Sequence, residues 1–224
     1  MLCQEGIDEM TEQSSEIIVR KWRKPKQARS LERVNRILEM AAAIFVEQGY
    51  AAATTKQIAA EAEVPIGTLY QFFPDKTAIL QALAERYTDL LNQQLQVFGT
   101  EVMMQLPLSE YVNRLTQGID GFFRENPGYR ATFVEITTSM PEINEATDNQ
   151  LVQAFVRIFS KLNDVLSAED CEAIAFVLVK AMGNLLWISS GQAPDFRQRL
   201  VQETQRLAFN YLKSYFPEEK HVGE

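Results

Sequence analysis

The chain has 224 residues, 46% of them hydrophobic and 23% charged, with a net charge of −8. That length is enough for one small and one ordinary domain, each with a core. The lone histidine, His221, lies in the terminal tail, which removes histidine-based acid–base work, nucleophile triads and most zinc sites. Only 8 prolines and 10 glycines are present, and apolar residues recur three and four apart, so the class is all-α. The charge is unevenly placed. Residues 1–19 carry five acids and no base, residues 20–80 carry ten bases and six acids, and residues 81–224 carry twelve bases and nineteen acids. A local basic region on an acidic body suits a site-specific reader of nucleic acid and discourages indiscriminate binding to phosphate. A solvated basic tail is the alternative for that region taken alone.

In chain order, residues 1–19 are acidic and polar. A basic arm, Arg20 to Arg29, follows with Pro25 inside it. A first helix is predicted from about Ser30 to Gln48, with Leu31, Val34, Leu38, Ala41, Ala42 and Phe45 as its apolar stripe and Gly49 as its stop. Thr54 and Gln57 have capping-box spacing at the head of a short second helix to about Glu61, and Ala53 with Ile58 offers a weak hydrophobic staple. Ala62 to Val64 form a turn. Pro65 then suits the first position of a third helix to Gln71, where a missing N–H does no harm. Asp75 caps a long helix to about Phe98. Further helices are predicted near 108–125, 127–139, 143–165, 169–190 and 195–215, separated by Pro107, Asn126-Pro127, Pro141 and the Gly191–Pro194 break. Ser167 with Asp170 marks the start of the penultimate one.

Cys3 and Cys171 imply no disulfide framework, no signal peptide is visible, and the most apolar stretch, Ala173 to Ile188, is short for a membrane span and contains Lys180 and Asn184. The expected location is the cytoplasm, with no membrane partner. Glu169, Asp170 and Glu172 suit a helix N-terminus rather than a catalytic cluster, and Cys171 has no nearby cation to activate it. No enzyme, cofactor or metal is expected.

Two helices as short as those at 54–61 and 65–71 bury little core by themselves. Such a helix-turn-helix is usually presented to DNA. The run Ile37-Leu38, Ala41-Ala42, Phe45, Gly49-Tyr50, Thr54-Thr55, Ile58-Ala59, Val64, Gly67-Thr68-Leu69-Tyr70, Phe72-Phe73, Lys76 and Leu80 resembles the TetR family of bacterial one-component transcriptional regulators. The resemblance is specific over residues 29–80 and tightest in GTLYQFFPDK; beyond residue 80 it is one of helix number and length. It implies a three-helix DNA-binding head, a larger C-terminal helical domain for effector binding and dimerisation, and a homodimer on a palindromic operator. The corresponding boundaries are an arm at 1–28, the head at 29–75 and the effector domain at 76–224. Pro65 replaces the serine cap frequent in the family, and Glu63 stands where the turn often has glycine.

Base reading falls to what projects from the third helix, namely Pro65, Ile66, Gly67, Thr68 and Gln71. Glutamine pairs with adenine, and Ile or Thr methyls pack on the thymine methyl. Gly67 allows close approach either to DNA or to a partner helix. Lys56 can reach a guanine or a phosphate. Tyr70 reads from the residues alone as a core aromatic with its hydroxyl at the surface; by resemblance it donates to a phosphate. Thr55 is a second phosphate candidate, with Lys26 and Arg29 from the arm, which can also enter a minor groove. Lys76 opposes the dipole of its own helix, which makes sense if a phosphate shares that helix end.

Phe122, Phe123, Tyr129, Phe133, Phe155, Phe159, Phe176 and Trp187 are each either ordinary core or lining of an effector pocket, and as a set they suggest an apolar or aromatic effector. Glu135, Arg130 and Asn184 are candidate polar anchors, with Glu135 and Arg130 equally readable as solvated surface. The penultimate helix is apolar nearly all round, more than one small subunit can cover. Ile174, Val177, Ala181 and Leu185, with Leu200, Thr204, Leu207 and Tyr211 of the last helix, are therefore the expected dimer seam of a four-helix bundle. The competing class is an α-helical interaction or scaffold protein whose helix-turn-helix no longer binds DNA.

Overall fold

The computed structural model describes residues 22–216, and among these every regular element is helical. Helix α1 (Ala28–Ala52) buries Val34, Ile37, Leu38, Ala41, Ile44 and Phe45 along one face, while Leu31, expected in that stripe, is 49% exposed. Gly49 sits at φ 80°, ψ 159°, a left-handed position that suits glycine, and breaks the course of the helix one turn before its end. Helix α2 (Thr55–Glu61) starts where Thr54 Oγ1 accepts from the Gln57 N–H at 3.2 Å. The turn after it places Glu63 at φ 53°, the conformation that explains why glycine is at home there. Helix α3 (Ile66–Phe72) follows Pro65, and Asp75 caps helix α4 (Lys76–Gln96) by accepting from the Ala78 N–H at 2.8 Å.

A 3₁₀ turn at Val97–Gly99 and a short helix α5 (Glu101–Met104) replace the expected tail of the long helix. Helices α6 (Leu108–Glu125), α7 (Pro127–Ser139) and α8 (Pro141–Leu162) follow. Helix α8 begins at Pro141, two residues before the predicted start, because proline fits the first turn. It ends at Leu162, where the Asn163 side chain turns away to the Tyr215 carbonyl at 2.9 Å. Helix α9 (Ala168–Leu178) is capped by Ser167, whose Oγ accepts from the Asp170 N–H at 3.0 Å. It runs through a π-helical turn (Val179–Gly183) into α10 (Asn184–Ser189), and α11 (Pro194–Leu212) closes the fold.

The head (α1–α3) and the body are not independent in packing. Helix α1 lies along α7, α4 passes from the head into contact with α7 and α8, α9 packs on α8, and α11 packs on α6 and α10. One apolar cluster runs from Val34 in the head to Phe216 in the body. At Gly128, the first turn of α7, an added Cβ would lie 2.1 Å from the Tyr87 hydroxyl and 2.9 Å from the Ala42 methyl. Three helices therefore meet there at a spacing that no side chain could share.

Candidate DNA interface and effector cavity

The α2–turn–α3 unit is held by its inner face. Ile58, Leu69 and Phe73 are each 0% exposed, the mini-core the spacing implies. The same α3 geometry turns Pro65, Ile66, Gly67, Tyr70 and Gln71 outward, with Thr68 half-buried. No atom lies within 4 Å of a Cβ built on Gly67, so packing within the chain does not require a glycine there. Lys56 is exposed at the head of α2. The hydroxyls of Thr55 and Tyr70 lie 3.0 Å apart across the turn. Whichever donates, the other keeps its own proton free for an outside acceptor, so the pair presents one O–H donor and several lone pairs at the surface.

The chain before α1 is not a free tail from residue 22 onward. Trp22 stacks on Phe73 at 5.7 Å between ring centroids, the Arg23 N–H donates to the Phe72 carbonyl at 3.0 Å, and Lys24 pairs with Glu85 at 3.0 Å. This stretch runs extended beside the end of α3 and carries Lys26 exposed, with Arg29 exposed in the first turn of α1. Arg20, Lys21 and the acidic residues 1–19 lie outside the described residues.

Lys76 departs from expectation. Its Nζ donates to the carbonyls of Tyr50 (2.7 Å), Ala53 (2.9 Å) and Ala51 (3.3 Å) and lies 4.2 Å from the Tyr50 ring centroid. All three N–H groups are therefore engaged. The cation that opposes the α4 dipole is balanced by the carbonyls of Tyr50, Ala51 and Ala53, which the end of α1 leaves without helical partners. In this structure Lys76 thus clasps α1 to α4.

In the body a cavity of about 160 Å³ opens among α4, α6, α7, α8 and the π-helical turn. Of the predicted aromatics, Phe123, Tyr129, Phe133, Phe155 and Trp187 line it. Phe122 stands behind this wall, its ring 5.5 Å from that of Tyr129. Phe159 packs on Phe216 at 5.1 Å, in the core away from the cavity. Phe176 is 49% exposed beneath Lys180. Helix α9 turns it outward because Ala175 and Leu178 take the inner face.

The polar groups of the cavity were largely unforeseen. Lys180 and Asp148 form an ion pair at its wall, with Asn144, Thr137 and the expected Asn184 nearby. A signal existed for both charges. Lys180 is the one cation in the most apolar stretch of the chain, and Asp148 lies on the face that Leu151 and Phe155 define. The π-helical turn widens the helix at Val179, Lys180, Met182 and Gly183, and all four line the cavity; such turns are frequent at functional sites. Burial, followed by the Asp148 charge, pushes the Tyr129 hydroxyl well above the ordinary phenol range, so it stays protonated. The Trp187 indole N–H is buried with no acceptor among the described residues. Arg130 and Glu135 line a separate groove rather than the cavity.

The expected dimer seam divides. Val177 and Leu207 are each 44% exposed, with Ile188 (46%) and Phe196 (53%) beside them. Ala181, Leu185, Leu200 and Tyr211 are half-buried at the edge of the same face. Ile174 and Thr204, each 2% exposed, point into their own subunit; the Thr204 hydroxyl donates to the Leu200 carbonyl at 2.7 Å. Together α9, α10 and α11 leave one broad apolar face uncovered. The helix Ala168–Ser189 is long and apolar enough to cross a membrane by length and composition, yet its inner face packs on α8 and holds the ion pair.

This arrangement, a helix-turn-helix head on a helical body with an internal cavity and an apolar outer face, is that of a ligand-responsive DNA-binding regulator. The model of bacterial regulatory proteins of the tetR family matches residues 37–83, and that of the tetracyclin repressor-like C-terminal domain matches residues 107–212. The HTH-type transcriptional regulator YhgD of Bacillus subtilis is 29% identical over 77% of this chain and 92% of its own length. The repressor KstR of Rhodococcus jostii is 28% identical over 79% and 82%. The fold also matches Salmonella enterica GusR (TM-score 0.63, 22% identity, 84% of this chain and 100% of that one) and a TetR-family regulator from Streptomyces coelicolor (TM-score 0.62, 23%, 83% and 98%). The chain belongs to the TetR family of transcriptional regulators, a class that binds DNA, acts as dimers and answers small-molecule effectors without catalysing a reaction.

Proposed function

We propose that this chain is a cytoplasmic homodimeric repressor that holds a palindromic operator until a small apolar or aromatic effector enters the α4–α10 cavity. The observation that carries the reading is the outward face of α3. Pro65, Ile66, Gly67, Thr68 and Gln71 form a projecting ridge, flanked by the Tyr70–Thr55 hydroxyl pair at 3.0 Å, while Leu69 and Phe73 anchor it from behind. The ridge enters the major groove, with Lys56 beside it. The hydroxyl pair, Lys26 and Arg29 take phosphates, which fix the register before the bases are read. Two copies paired through the apolar face of α9–α11 set two such ridges one DNA turn apart, roughly 34 Å.

The cavity supports the second half of the reading. A space of 160 Å³ compares with engineered apolar cavities of about 150 Å³ that accept benzene, so the effector is of single-ring size unless the walls part. Its polar group meets Asp148, Lys180, Asn144 or the Trp187 N–H. Helix α4 lines the cavity through Leu91 and Leu95 and, at its other end, clasps α1 through Lys76. An effector that shifts α4 therefore shifts the head, and two half-sites no longer fit together. Repression as the sign of control is the reading supported by KstR, named a repressor.

The test is selection of bound fragments from genomic DNA with the purified full chain. The expected outcome is enrichment of a palindrome whose affinity falls steeply with salt. Failure to enrich any sequence would overturn the reading.

A further inference from the structure

The groove that holds Arg130 lies between head and body and is distinct from the effector cavity. It has a volume of about 560 Å³. Helix α1 supplies Phe45, Val46 and Tyr50, and α7 supplies Arg130 and Val134, with Phe123 and Arg124 of α6 at its base. Its walls are thus apolar and aromatic, and its charges are two guanidiniums and one carboxylate. Glu135, the carboxylate, accepts from the Ser139 hydroxyl at 2.5 Å. Arg124 leans on Asp120 at 3.6 Å.

Arg130 is the anomaly. Its guanidinium lies where Gly191 has no side chain, since a Cβ there would stand 1.5 Å from Nη1. It also lies over the Trp187 ring, 5.8 Å from the centroid. The side chain is exposed, and among the described residues no carboxylate comes within salt-bridge distance and no hydrogen bond within the chain uses its five donors. An exposed guanidinium that rests over Trp187 beside apolar walls, with its donors open to an incoming group, matches an organic anion with an aromatic or apolar body. It offers fixed forked donors for a carboxylate, sulfonate or phosphate while the rings and Val46 take the rest.

We propose that this groove is a second ligand site, for an amphipathic organic anion, that reports to the head separately from the cavity. A molecule seated there touches α1 and α7 at once and so fixes the head against the body. Phe123 is a wall of both the groove and the cavity, and Trp187 lies under Arg130 while lining the cavity, so occupancy of one site is felt at the other.

The test uses 8-anilinonaphthalene-1-sulfonate and its uncharged counterpart N-phenyl-1-naphthylamine, whose fluorescence rises on leaving water, with the purified 224-residue chain. The sulfonate is expected to bind saturably. Arg130→Gln should weaken it at least tenfold and leave the uncharged probe within twofold, and Arg130→Lys should recover part of the loss. Val46→Trp, at a half-exposed position that can carry a larger side chain without disturbing the core, should block both probes at this site. The site is refuted if Arg130→Gln leaves sulfonate affinity unchanged, if it weakens both probes alike, or if Val46→Trp leaves sulfonate binding intact.

Discussion

At the residue scale, charge and hydrogen-bond accounting separate two side chains that look alike in sequence. Lys76 and Tyr70 both stand near the expected phosphate path, but the Lys76 ammonium is saturated by three carbonyls, whereas the Tyr70–Thr55 pair retains a free O–H. Lys76→Met should lower stability by about 1.5–3 kcal/mol, the range for hydrogen bonds to a charged group, read as a fall in the denaturation midpoint, and should leave the salt slope of DNA binding unchanged. A slope reduced by about one, with no stability loss, would return Lys76 to the phosphates. Tyr70→Phe should behave in the opposite way. Removing a hydroxyl that is paired only at the surface leaves the melting curve in place, while affinity for all DNA sequences drops together. An unchanged affinity in a gel-shift titration would remove Tyr70 from the interface. The capping of α2, α4 and α9 by Thr54, Asp75 and Ser167 was legible in the sequence, because a cap is a local bond between neighbours. The Lys76 clasp joins residues 23–26 positions apart and was not.

At the element scale, α3 is a short helix anchored by the buried Leu69 within it and Phe73 just past its end, with its other face presented outward. Gly67 tests this division. With nothing within 4 Å of its missing Cβ, Gly67→Ala should leave the fold as stable or raise it by up to about 1 kcal/mol through helix propensity. It should weaken operator binding if the backbone approaches DNA closely. Equal operator affinity in wild type and variant would mean that this glycine faces open groove rather than DNA. The run of helices was readable from the 3.6-residue period and from proline positions, down to starts at Leu108 and Pro127. The 3₁₀ turn and α5 after Gln96 carried no such period, and the π-helical turn within α9–α10 leaves the apolar pattern of the sequence unbroken. Which aromatics line the cavity was equally hidden. Phe155 and Phe159 lie one turn apart on α8, and only the positions of α7 and α9–α10 send one to the cavity and the other to Phe216.

At the scale of the whole molecule, the proposed function joins the uncovered face of α9–α11 and the cavity between α4 and α10 in one mechanism, in which the pairing of bodies sets the spacing of heads. Val177→Asp with Leu207→Asp places two charges on that face at positions that are 44% exposed in the single chain, so each subunit should keep its fold while losing its partner. Sedimentation should show the monomer, and operator binding should fall to that of a single half-site. A variant that stays dimeric would move the seam elsewhere.

The sequence by itself determined the helices, their caps, the helix-turn-helix and the family to which it belongs, because these rest on periods and spacings of a few residues. Only the tertiary structure decided that Ile174 and Thr204 face inward, that Asp148 meets Lys180 at the cavity wall, and that Lys76 holds α1 while Arg130 lies exposed over Trp187. Those outcomes depend on which helix faces which across tens of residues. The energy that chooses among such pairings is the burial and charge compensation of side chains that are strangers in the chain.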